Sequence, residues 1–415
     1  MEGLVIQREE PQTPDTRWRR TLYIMWLAEF VATSGISLVM PFLPLYVLDL
    51  GVDDPADAQR WAGFLIAANF ISSALMAPVW GWLGDRYGRK KMVLRAIFGL
   101  SVAIGLMGFV RTPQQLLALR LLQGAVGGFV SASVALVASA TPKKHLGYAL
   151  GMLQTASTSG HVIGPLFGGL LADRFGYAQV FLITGATCVV AGIIVTLFVH
   201  EKFTPVAPEK RVGMRETFSM LLTLPALRAT FGIMFITQIG LMTIQPILAL
   251  FVQSLEQGSG GMLRTKVGLI FAMPGLASIV AAPLWGRRGD RVGHRHTLAI
   301  ALLGAGILYL PHYLVRTAAQ MMVIRFSVGL CTAGILPAAH SVVASAADPN
   351  RTAGALSLLS TARWLGSIAG PLMGGYLSAH FGIRPMFMIT GALLLTSGLS
   401  AWHAAHRTAA KANEP

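Results

Sequence analysis

Residues 75 to 186 are written a second time, 205 to 206 positions later, and this repeat restricts the chain to an architecture of two equivalent halves. Ala77 and Pro78 return as Ala282 and Pro283, and Trp80 and Gly81 as Trp285 and Gly286. The run Asp85, Arg86, Tyr87, Gly88 returns as Asp290, Arg291, Val292, Gly293, and Arg120 returns as Arg325. After one inserted residue, Gly164, Pro165, Gly168 and Gly169 return as Gly370, Pro371, Gly374 and Gly375. Chance produces single echoes of this kind, but not an ordered series.

The solvent of these halves follows from composition. With 54% hydrophobic and 12% charged residues, the chain carries about half the charge of a soluble domain. The net charge of +15 is dispersed over short loops between apolar segments, which argues for a membrane and against nucleic acid. Cys188 and Cys331 fall inside apolar segments, where each serves as a small hydrophobe. Helix needs about 20 residues to cross a bilayer core, and twelve segments qualify: 21–48, 61–84, 92–110, 113–140, 147–172, 177–199, 225–254, 267–286, 297–315, 318–347, 354–380 and 385–406. The first is too long for the apolar core of a signal peptide and is expected to be an uncleaved span.

The polar stretch 200–224, with Glu201, Lys202, Lys210, Arg211 and Arg215, separates six spans from six. The expected domains are therefore a six-helix bundle over 1–199, a cytoplasmic linker, and a second six-helix bundle over 225–415. The expected fold is an all-α integral membrane protein of twelve transmembrane helices in two pseudo-symmetric bundles. Lys and Arg are roughly three times as frequent on the loop set that contains both termini as on the other set, so both termini are expected in the cytoplasm.

Gly81 to Lys91 reads Gly-Trp-Leu-Gly-Asp-Arg-Tyr-Gly-Arg-Lys-Lys. Gly84 and Gly88 permit a tight turn, Asp85 can cap a helix or pair with an arginine, and the basic cluster holds the loop at one membrane face. Taken alone, this is a turn obeying the positive-inside rule. The run resembles the loop between the second and third spans of the major facilitator superfamily, and its copy at Asp290, Arg291 and Gly293 strengthens the likeness. The resemblance implies a gate built from Gly81, Asp85, Arg86, Gly88 and Arg89, with Asp85 and Arg89 as the latch.

Gly160, Gly164, Pro165, Gly168 and Gly169 are similar to the fifth-span motif of the superfamily's proton-coupled exporters. Glycines four apart allow helices to approach closely, and Pro165 favours a bend. Arg120, Gln123 and Gly124 resemble the fourth-span arginine motif of the same exporters. An arginine in lipid is costly and should face a cavity or partner, unless it snorkels to the surface. The polar stripe Gln123, Gly124, Gly127, Ser131 on its helical face suits the first reading.

Glu29 is the carboxylate lying well inside a span. Burial raises a carboxylate's pKa and a nearby guanidinium lowers it, so cavity opening and closing could switch it between proton binding and release. Glu29 and Arg120 are accordingly the expected proton-coupling residues, although their estimated depths along the helices differ by roughly 9 Å. A carboxylate satisfied by hydrogen bonds near the cytoplasmic edge is the plainer alternative. His161 and His340 are the fallback titrating groups. The expected cavity lining adds Asn69, Gln123, Gln154, Thr158, Gln238, Met242, Gln245, Arg363 and Trp364, each of which also suits ordinary packing or interhelical hydrogen bonding.

The sequence has no phosphate loop, zinc-binding HExxH or GxSxG element, and no enzyme, metal site or cofactor is expected. The resemblance is closest to twelve-span drug:proton antiporters of the bacterial inner membrane. It implies proton-coupled efflux of small lipophilic or cationic compounds by a monomer, through alternating access. The same fold equally accommodates an endogenous solute such as a sugar, siderophore or lysophospholipid, and more distantly a passive facilitator or a sensor.

Overall fold

The structure, a computed structural model, describes residues 17–201, 219–221, 223–256, 261–348 and 351–412. Most of the expected linker 200–224 lies outside the described residues. The first span comprises α1 (Arg17–Val39), a 3-10 turn at Met40–Phe42 and α2 (Leu43–Asp49). The second and third are α3 (Pro55–Tyr87) and α4 (Arg89–Met107). The fourth divides into α5 (Pro113–Ala125) and α6 (Phe129–Ala140), and the fifth and sixth are α7 (Leu146–Phe175) and α8 (Tyr177–Phe198). The second half follows suit: α9 (Pro225–Thr243) with α10 (Leu248–Leu255), α11 (Leu263–Val292), α12 (His294–Tyr309), α13 (Ala318–Thr332) with α14 (Ile335–Ala346), α15 (Thr352–Phe381) and α16 (Ile383–Ala412).

Among the described residues, nine spans are long and apolar enough to cross a membrane by length and composition. The third, fifth and eleventh complete the twelve. Their helices of 19, 30 and 30 residues extend about 28 to 45 Å at 1.5 Å per residue. Basic residues dilute the first of these, and glycine, serine and threonine dilute the other two. Most helices overrun the expected boundaries, because charged residues mark the edge of the hydrocarbon while the helix continues into the headgroup layer.

Four spans expected to be continuous are broken instead: the first, fourth, seventh and tenth. In the first, Pro41 and Pro44 lie at the joint. In the fourth, Gly127 and Gly128 form it, and Gly128 adopts φ +92°, which favours glycine. A break leaves carbonyls without intrahelical donors. Trp80 Nε1 donates to Ala125 O at 2.7 Å, and its repeat partner Trp285 donates to Leu330 O at 2.6 Å. The fourth and tenth spans also begin alike. Thr112 accepts from Gln115 N while Gln115 accepts from Arg111 N, and Thr317, Gln320 and Arg316 repeat both bonds. This is a capping-box arrangement, written twice.

The halves meet along two seams related by the same repeat. At the first, α3 packs on α15: a Cβ on Gly63 would stand 2.5 Å from Pro371 O, and one on Gly375 would stand 2.5 Å from Gln59 O. At the second, α11 packs on α7: a Cβ on Gly268 would stand 2.1 Å from Pro165 O, and one on Gly169 would stand 2.3 Å from Arg264 O. Both seams lie toward the face opposite the basic loops 86–95 and 287–295. Toward the basic face the corresponding glycines of the same helices, Gly81 and Gly286, have no atom within 4 Å of where a Cβ would stand. The molecule is closed at one face and parted at the other.

Gly268→Ala should therefore disfavour the closed seam by about 1–3 kcal/mol, the usual cost of overpacking. The check is a spin-label distance between α7 and α11 near the closed face, expected to lengthen in this variant. Gly81→Ala, which meets open space, should leave it unchanged.

Candidate functional site

The expected fifth-span motif is a packing device with two sides. A Cβ on Gly160 would stand 2.0 Å from Thr33 Oγ1, and one on Gly164 would stand 2.5 Å from Ser34 O, so α7 lies directly on α1. Ser37 Oγ donates to Gly160 O at 2.9 Å across the same contact. Gly168 continues toward Leu38 and Phe42, whereas Gly169 faces the other half. The second copy behaves identically: Gly366, Gly370 and Gly374 lie on α9, and Gly375 faces α3.

The closed face carries a polar latch that the sequence reading missed. Asp173, at the end of α7, accepts from Arg264 N at 3.1 Å, from Thr265 N at 2.8 Å and from Thr265 Oγ1 at 2.7 Å. A carboxylate on the first amides of α11 satisfies orphan donors and complements the helix dipole. Arg264 returns the contact by donating to Ala172 O at 3.0 Å, with its guanidinium 4.4 Å from the Tyr177 ring and 3.7 Å from Asp49. Nothing in the local sequence marks Asp173, since its role depends on a partner 91 residues away.

Glu29 is buried, 1% exposed. Its neighbour is the Ser133 hydroxyl of α6, and its Oε2 has no hydrogen-bond partner. Arg120, also buried, lies elsewhere. It donates through Nε to Leu65 O at 3.1 Å and through Nη1 to Gln123 Oε1 at 2.5 Å, while Asn69 Nδ2 reaches Arg120 O at 3.5 Å. Among the described residues no ion pair joins Glu29 to Arg120. Ser133 lies on α6 and Arg120 on α5, on opposite sides of the break in the fourth span, so the depth mismatch seen in the sequence persists in the fold. Arg325 repeats the placement with a different partner, the Tyr309 hydroxyl at 3.4 Å.

The other expected lining residues divide into two groups. Gln154, Thr158 and His161 form a polar stripe on the part of α7 toward the basic face; Gln154 and His161 are exposed although His161 stands deep among neighbouring helices, as on a concave wall. Trp364 is exposed as well, and His340 and Arg363 are half-buried electrostatic neighbours in the second half. Gln238 instead is buried and donates to Ser367 Oγ at 3.0 Å, and Met242 and Gln245 are half-buried beside the break in the seventh span. Trp364 meets Phe70 of the first half edge-on at 5.7 Å, where the parted region begins.

Of the expected gate, the Asp85 side chain lies outside the described residues. Gly88 and Gly293 turn the chain with φ +100° and +91°, a geometry favouring glycine. Arg89 donates to Ala135 O at 3.3 Å, Arg86 lies 5.5 Å from the Trp82 ring, and Asp290 and Arg291 are exposed. An unexpected member is Glu201, whose two oxygens accept from Arg89 N and Lys90 N at 2.9 and 2.8 Å. It caps the start of α4 from beyond the end of the sixth span.

Residues 25–265 and 230–415 match the family model described as Major Facilitator Superfamily. The chain belongs to that superfamily. It is 37% identical over 385 residues to "Multidrug resistance protein MdtG" of Proteus mirabilis (strain HI4320), covering 93% of this chain and 96% of that one. The protein of the same name from Escherichia coli O81 (strain ED1a) is 36% identical over 395 residues, covering 95% and 96%. Among solved structures, a bacterial homolog to the human lysosomal transporter Spinster, in inward-facing and occupied conformation, aligns with TM-score 0.78 at 15% identity over 95% of this chain and 98% of that one. The twelve helices are thus those of a major facilitator transporter, and the duplicated seams are its two inter-bundle contacts.

Asp173→Asn should loosen the latch by removing the charge that two backbone amides and a hydroxyl share. Hydrogen bonds to charged groups contribute about 1.5–3 kcal/mol, so the closed-face spin-label distance across α7 and α11 should shift toward the open population. Asp348→Asn, whose carboxylate is exposed in the loop after α14 on the opposite face, is the matched control and should leave that distance unchanged.

Proposed function

We propose that this protein exports small lipophilic or cationic compounds from a bacterial cytoplasm in exchange for protons, acting as a monomer in the inner membrane by alternating access. The observation that carries this reading is the pair of glycine seams, closed at one face and parted at the other, in a chain 36–37% identical to relatives named multidrug resistance proteins. The positive-inside rule assigns the basic face, and with it both termini, to the cytoplasm. The described arrangement then corresponds to the inward-facing state, in which substrate enters along the α7 stripe of Gln154, Thr158 and His161.

Glu29 is the proton carrier in this scheme. It is a buried carboxylate with an unpartnered oxygen, and such a group avoids the cost of an isolated buried charge by holding a proton. Its release of that proton would accompany the rearrangement that hydrates the contact with Ser133. Arg120 has a positioning role instead: its bond to Leu65 O ties the fourth span to the second, and Gln123 holds the guanidinium from its own helix. Asp85, Arg89 and their second-half counterparts would close the basic face in the outward-facing state.

The test is purified protein in liposomes with an imposed pH gradient, screened with lipophilic cations, neutral drugs, sugars and lysolipids. Accumulation of the first two against their gradients is expected; accumulation of sugars or lysolipids alone would assign an endogenous solute instead. Glu29→Gln should abolish uphill accumulation of a neutral substrate while downhill exchange persists. Normal uphill pumping by that variant would move the proton to His161 or His340. Arg120→Ala should lower stability without moving the pH optimum, because the guanidinium does not meet Glu29.

A further inference from the structure

A cavity of about 250 Å³ opens between the second, third and fourth spans of the first half, toward the basic face. None of the polar residues expected to bind substrate lines it except Trp364, which reaches in from the eleventh span of the other half. Its walls are otherwise nearly apolar, with Ala77, Met92, Ala132 and Ala135 among them. Two guanidiniums stand in this lining: Arg89, which donates to Ala135 O at 3.3 Å, and Arg95. Arg95 lies face to face with the Trp80 indole, 3.6 Å from its centroid, and donates through Nη2 to Gly127 O at 2.8 Å. Among the described residues its Nε and Nη1 are buried and have no hydrogen-bond partner. The repeat does not explain this residue, since Ile300 occupies the equivalent place in the second half.

We propose that this cavity is a binding site for amphiphilic anions, in which Arg95 receives a carboxylate, sulfonate or phosphate and the apolar walls receive a ring-sized body. A cation in apolar surroundings with two unsatisfied nitrogens is costly unless an anion or polar partner completes it. Charge-assisted bonds from a guanidinium to an oxyanion are the strong class of hydrogen bond. The remaining walls offer aromatic faces in Trp80 and Trp364 and, apart from Arg89 and Met92, small side chains, as in small-molecule pockets generally. Arg95 stands six residues, about 9 Å, inside the basic end of α4, within reach of a solute from the parted face or of an anionic lipid from the adjoining leaflet. Because Trp364 belongs to the other half, an occupant would wedge α3 from α15 and hold the basic face open.

The experiment titrates the purified full-length protein, in nanodiscs of phosphatidylcholine, with 2-naphthoate and with its neutral analogue 2-naphthamide, read by calorimetry. Saturable binding of naphthoate at least ten-fold tighter than naphthamide is expected. It should weaken at least ten-fold in Arg95→Gln and again in Ala132→Leu, which fills the cavity without touching the charge. If Arg95→Gln does not remain folded, Ala132→Leu decides. No saturable binding, equal binding of the two probes, or parental affinity in a folded Arg95→Gln or in Ala132→Leu would each overturn the proposal. Repeating the titration in phosphatidylglycerol separates the two natural sources. Competition by that lipid assigns the site to a headgroup, and unchanged affinity assigns it to a soluble anion. Both outcomes keep the anion site. No proton gradient is involved, so a negative result leaves the transport reading intact.

Discussion

Backbone-to-backbone contact at glycine is the constraint on which the remaining structure depends. In lipid there is no hydrophobic driving force between helices, so adhesion comes from van der Waals packing and polar contacts at close approach. At Gly160, Gly164, Gly268 and Gly375 a Cβ would fall between 2.0 and 2.5 Å from a neighbouring atom. Each such place fixes the depth and azimuth of a helix, because no other residue permits the same approach. Within a half, these contacts bind α7 to α1 and α15 to α9, and between halves they form the seams. Adhesion without interlocking side chains suits a surface that must separate and re-form, since separation exposes few polar groups.

The broken spans follow from a second requirement, that every backbone group in lipid have a partner. Trp80 and Trp285 supply donors to the carbonyls freed at the breaks, and they do so from helices that lead into the turns at Gly88 and Gly293. A rearrangement of α3 or α11 therefore acts directly on the joint of the fourth or tenth span. The first half adds Arg95 to this joint, which couples the break to the cavity beside it.

Much of this was legible in the sequence because the repeat keeps its spacing to within one residue. The helical spans and the close packing at Gly160 to Gly169 follow from local patterns of hydropathy and glycine. Gly63 and Gly268 share the same 205-residue offset and were open to the same argument, but single glycines outside a motif carry no local signal. Hydropathy runs through the breaks unchanged and so conceals them, although Pro41, Pro44, Gly127 and Gly128 stand at two of them. Asp173, Arg264 and Glu201 escaped for another reason: each bonds to a backbone amide or carbonyl far along the chain, and backbone partners leave no trace in residue identity. The separation of Glu29 from Arg120 was foreshadowed by their depths, because rise per residue is fixed while helix direction alternates.

The seams have a further consequence for the halves themselves. One seam places the glycine of a second helix against the proline and glycine of a fifth-helix equivalent, and the other seam does the same with the halves exchanged. Each six-helix unit therefore carries both members of the contact. Two identical copies of one unit, related by a dyad, would satisfy both seams at once through an isologous interface. Fusion of such a dimer into one chain costs no rearrangement of its contact surface. It also frees each copy to diverge on its own, and Arg95 opposite Ile300 is a place where the symmetry has been given up.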